Sequence, residues 1–179
     1  MIRRRVCWLY SRLSLRDASA LMRVRQLSEI VRRGISDVNV EIVSCLKLSN
    51  IKDAFVVLNK SYLRGVSLEE IKFLKGVGNV IAVDYVDSAE CYDVIDLVDV
   101  LIASSNSQLH YYRKKYPEKY SCLITHHVDP RIQKRQRSQK KCESARVGYF
   151  GDVANALWMR ELDGYVDFYQ VKTIGRKFV

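Results

Sequence analysis

The strongest constraint on the fold is an alternation. Apolar runs of strand length take turns with segments of helical period from the N-terminus to about residue 125. Such alternation is the signature of βαβ units around a parallel sheet, because each strand needs a crossover helix before it can be paired by the next strand in the same direction. The expected strands are Arg5 to Tyr10, Val38 to Val43, Ala54 to Leu58, Val80 to Val83, Val100 to Ala103 and Cys122 to Thr125.

The helices between them carry local signals. Over residues 17 to 33, Ala18, Leu21, Val24, Leu27 and Val31 recur at spacings of three and four, Asp17 stands as a cap, and Gly34 as a stop. Arg23, Arg25, Arg32 and Arg33 fall largely off that stripe. Ser67-Leu-Glu-Glu70 forms a capping box for a helix ending at Gly76, and Ser105-Asn-Ser-Gln108 forms a second one. Ser88 to Leu97 is expected to be helical.

The pattern breaks at residues 131 to 143, where cations crowd together and no apolar residue follows Ile132. It restarts with a strand at Arg146 to Phe150, a helix at Val153 to Leu162 and a strand at Tyr165 to Val171. The expected organisation is therefore a doubly wound, mostly parallel Rossmann-like α/β domain over residues 1–130, a basic linker over 131–143, and an incomplete second α/β unit over 144–179. Two strands and one helix cannot bury a core of their own.

In open parallel sheets, ligands bind beyond the carboxyl ends of the strands, where the strand order reverses. The polar residues at those ends are the candidate site: Ser11 after the first strand, Lys60 after the third, Asp84 and Asp87 after the fourth, Ser104 and Ser105 after the fifth, and His126 and His127 after the sixth. An imidazole there can act as acid, base or phosphate donor near neutral pH, or can sit hydrogen-bonded under a loop. As neighbours leaving a strand, the two histidines point to opposite sides, so at most one faces the crevice. Asp84 and Asp87 can orient a hydroxyl or accept a proton, or cap the helix expected at 88. Lys60 suits a phosphate or carboxylate, or is simply solvated. Gly148 and Gly151 fall where a strand turns into a helix, as in a nucleotide-binding βα turn, although neither GxGxxG nor a Walker A loop is present.

A net charge of +10 favours anionic partners. The charge is concentrated at Arg3-Arg4-Arg5 and in Arg131, Lys134, Arg135, Arg137, Lys140 and Lys141. The 5 cysteines are an odd number with no CxxC, which fits reduced thiols in a reducing compartment. No Cys/His pair has zinc-ligand spacing, so no metal is expected. Neither a signal peptide nor an apolar run of spanning length is visible. These features point to the cytoplasm, with the basic clusters able to touch the anionic inner face of a membrane. Abundant tyrosine beside a basic run leaves a nucleic-acid-binding module as the alternative, against which stand the missing RNP, helix-turn-helix and zinc-finger patterns.

Four segments together resemble bacterial glycosyltransferases of the GT-B type: Val80 to Asp87, Asp99 to Ser105, Ile124 to Pro130, and Val147-Gly-Tyr-Phe-Gly151. The resemblance covers about residues 55 to 170. It implies two facing Rossmann-like domains, an acceptor domain and a donor domain, with transfer of a sugar from a nucleotide sugar to a polysaccharide or lipid-linked glycan in the cleft between them. It places Asp84, Ser104, His126 and His127 on the acceptor side and Gly148 and Gly151 in the donor domain's first loop. The nucleotide sugar is the donor substrate, and no separate cofactor is implied. Family members carry a donor domain several times longer than the segment after Arg146, so the chain is expected to be a truncated or degenerate transferase, inactive alone.

Overall fold

The computed structural model describes residues 4–10 and 20–127. The chain divides into two units, Met1–Ile132 and Gln133–Val179, and the described residues belong to the first. Ser11, Gly148, Gly151, the basic linker and the expected second α/β unit lie outside the described residues.

The elements in chain order are β1 (Arg4–Tyr10), α1 (a π-helical stretch, Leu21–Gln26, continuing directly into an α-helix, Leu27–Gly34), β2 (Val38–Ser44) and a 3₁₀ stretch at Cys45–Asn50. Next come β3 (Ala54–Asn59), α2 (Lys60–Leu63), α3 (Leu68–Gly76) and β4 (Val80–Asp84). The last are α4 (Tyr92–Leu97), β5 (Val100–Ala103), α5 (Asn106–Lys115) and β6 (Tyr120–Leu123). The six strands form one sheet in the order β2-β1-β3-β4-β5-β6, and every pairing is parallel. The chain winds outward from β1 to β2, then returns to build the rest of the sheet from the other side of β1. The reversal therefore lies between β1 and β3, where a doubly wound sheet opens its crevice.

Side chains alternate between the two faces of each strand, and each face has its own core. Cys7, Leu9, Val56, Leu58, Ile81, Val83 and Leu101 pack with Ile71, Leu74, Ile95 and Tyr112, which come from α3, α4 and α5. Trp8, Val40, Val57, Ala82, Val100 and Ile102 pack with Val24, Leu27 and Val31 of α1. This alternation places the polar residues as well. Asp84 follows Ala82 by two positions, so its side chain is delivered to the face that α1 covers.

Four expectations need correction. Arg23 is not off the buried stripe: it is 1% exposed, lying three residues after the buried Ala20 and four before Leu27, on the flank of the stripe beside Val24. No helix begins at Ser88. Residues 85–91 form a loop held by the Tyr85 hydroxyl, which donates to the Cys91 carbonyl and accepts from its amide, and by the Ser88 hydroxyl on the Tyr85 carbonyl. The sixth strand starts at Tyr120 and ends at Leu123, in register with Val100–Ala103. The second capping box is half formed: Ser105 Oγ accepts from the Gln108 amide, but the Gln108 side chain turns to the Ser104 amide instead. The first box, between Ser67 and Glu70, is complete.

Candidate functional site

The carboxyl ends of β3 to β6 bring most of the described candidates together through a small polar network. Its centre is Arg23. Nε of Arg23 donates to Asp84 Oδ2 at 2.7 Å, and Nη1 donates to the carbonyls of Ile124 at 2.6 Å and Thr125 at 3.3 Å. Both side chains of the pair are buried. One guanidinium thus ties the end of β4 to the segment leaving β6. Burial pushes the Asp84 carboxyl above its ordinary value. Arg23 opposes that most strongly, followed by the Val86 amide and the nearby His126. Arg23 Nη2 and Asp84 Oδ1 have no hydrogen-bond partner among the described residues, so the network keeps one donor and one acceptor in reserve.

The two histidines part company as adjacent residues leaving a strand should. His126 is exposed and close enough to Asp84 and Asp87 to lower both carboxyls. His127 turns toward α1, where its Nε2 lies 2.9 Å from Gln26 Oε1. His126 is therefore the imidazole on the open side of the β4 end, and His127 is the one held by the scaffold.

Beyond β3, Asn59 Oδ1 accepts from the Ser61 amide and hydroxyl and so caps α2. That cap sets Lys60 at the start of a helical turn, where its ammonium pairs with Asp87. The hydrogen bond from Lys60 holds the Asp87 carboxyl below the ordinary range, and the mostly exposed Asp87 is thereby fixed as an anion beside a cation. Asp87 caps no helix.

Between the two aspartates stands a strained residue. Val86 has φ of 60°, a left-handed conformation that a β-branched side chain adopts only under constraint. Its carbonyl accepts from Ser104 Oγ at 3.1 Å and Gln108 Nε2 at 3.2 Å, which lock the loop after β4 onto the start of α5. Ser104 is consequently a brace for this loop as well as a candidate contact, while Ser105 is exposed at the N-cap of α5.

The residues Asp84, Asp87, Lys60, Ser104, Ser105, His126 and His127 are thus gathered along one edge. Sequence reasoning missed Arg23, Gln26 and Gln108. Only Gln108 carried a readable signal, as the fourth residue of a capping-box pattern. Among the described residues, no group of three or more His, Cys, Asp and Glu side chains converges as metal ligands would. A separate cleft of about 560 Å³ runs along the edge strand β2, lined by Arg5, Arg32, Lys47 and Glu41 among others, with Arg5 and Glu41 paired at 3.0 Å. No helix among the described residues is long and apolar enough to cross a membrane.

No family model matches the chain, and neither a curated protein nor a solved structure matches it significantly.

Proposed function

We propose that this chain is a glycosyltransferase of the GT-B type, taking a sugar from a nucleotide sugar to a polysaccharide or lipid-linked glycan, with the described residues as the acceptor-side domain. The observation that carries the reading is the convergence of the Lys60–Asp87 pair, Ser104, His126 and the Arg23-held Asp84 at the carboxyl ends of one parallel sheet. A glycan is recognised through its hydroxyls, and this edge offers both charge-fixed acceptors and donors on a rigid frame. In this reading His126 and Asp87 receive the acceptor's hydroxyls, and Asp84 shapes the edge from below. Gly148 and Gly151, outside the described residues, would open the donor side, and the basic clusters would keep the protein on the cytoplasmic face of an anionic membrane.

Thermal-shift measurements on the full chain test the reading, using UDP- and GDP-sugars and neutral and lipid-linked oligosaccharides. A saturable rise in melting temperature with at least one of them is expected. No shift with any of them, together with steeply salt-dependent binding to random-sequence DNA, would overturn it in favour of a nucleic-acid module.

A further inference from the structure

Gln26 has no place in the reading above, yet it is 8% exposed and makes one pointed contact, from Oε1 to His127 Nε2 at 2.9 Å. An amide oxygen only accepts, so the imidazole must donate. We infer that Gln26 is a positioning residue: it fixes the neutral His127 ring as the Nε2–H tautomer, so that Nδ1 is the ring nitrogen left with the lone pair.

The scaffold supports the assignment from a second direction. Arg23, three residues before Gln26 on the same π-helical stretch, grips the carbonyls of Ile124 and Thr125, just upstream of the ring. One stretch of helix thus fixes both the backbone leading to His127 and one of its ring nitrogens. π-helical stretches recur at functional sites. Among the described residues, Gln26 is the hydrogen-bond partner of the His127 ring. Orienting an imidazole through its second nitrogen is the general way in which proteins choose which nitrogen is free for chemistry.

The test is a proton–nitrogen multiple-bond correlation spectrum of the histidine rings in the full chain, with H110Q and H126Q used for assignment. At a pH where the rings are neutral, His127 should show the Nε2–H pattern and a slowly exchanging Nε2 proton, retained in Q26E and lost in Q26L. An Nδ1–H pattern, or an Nε2 proton unchanged in Q26L, would overturn the inference and leave the proposed function standing.

Discussion

Arg23 and Asp84 lie 61 positions apart in sequence, meet at 2.7 Å, and are almost wholly removed from water. Burying two charges costs several kcal/mol per ion unless each is paired, and their mutual attraction repays that only with good geometry. The pair is therefore better understood as a device that fixes geometry than as a source of net stability.

R23M leaves Asp84 buried and unpaired and should destabilise the domain by about 3–5 kcal/mol, whereas R23M/D84L should recover most of the loss. The pH dependence of R23M has a definite sign. A carboxyl whose folded pKa is raised contributes stability at low pH that is lost as pH rises through the folded value. Urea denaturation should find R23M most weakened at neutral pH and partly recovered as pH falls toward the ordinary carboxyl range.

Val86 gives an inverted order of substitutions. At an ordinary position glycine costs about 0.5–1 kcal/mol more than alanine. At φ of 60° alanine keeps the backbone strain while glycine relieves it. Denaturation of V86A and V86G should show V86G as the more stable of the two.

Asp99 titrates in the opposite sense to Asp84. Burial works against its ionisation, but the Ile81 amide, Lys75 and Lys119 outweigh burial and hold it below its ordinary value. Its contribution is present above the unfolded value and lost as pH falls through the folded one. D99N keeps an acceptor for the Ile81 amide but no charge for Lys75. Its stability should therefore fall less steeply than wild type below about pH 4, as measured by thermal melts across the acid range.

Thiol labelling separates two cysteines. Cys7 is fully buried, and burial pushes its pKa up to about 11, while Cys91 is exposed. Because the thiolate is the nucleophile, iodoacetamide at pH 8 should alkylate Cys91 quickly and Cys7 only after unfolding. Equal labelling rates, read by peptide mass spectrometry, would contradict the burial of β1.

Much of the frame was legible because local and global signals agree. The Ser67–Glu70 box, the apolar runs of β3 and β4, and the two-residue period that sends Asp84 to the α1 face are written in neighbouring residues. Arg23 was not legible, because a charged side chain on the flank of an apolar stripe reads as solvated, and the partners that permit its burial lie 61 and about 100 residues away. The helix expected over Ser88 to Leu97 forms only from Tyr92 to Leu97, for a related reason. Tyr85 and Cys91 hold the segment as a loop, and Asp87 pairs with Lys60 rather than with a helix N-terminus. What escaped the sequence is what only tertiary contact creates: the clamp across β4 and β6, and the hold of Gln26 on His127.

The central claim is that the carboxyl edge of this sheet is a glycan-binding surface, and an amide-resolved NMR titration with nucleotide sugars and oligosaccharides tests it most directly. Perturbations should gather at residues 60–62, 84–88, 104–108 and 124–127. Perturbations confined to the β2 cleft around Arg5, Arg32 and Lys47, or none at all, would contradict the claim.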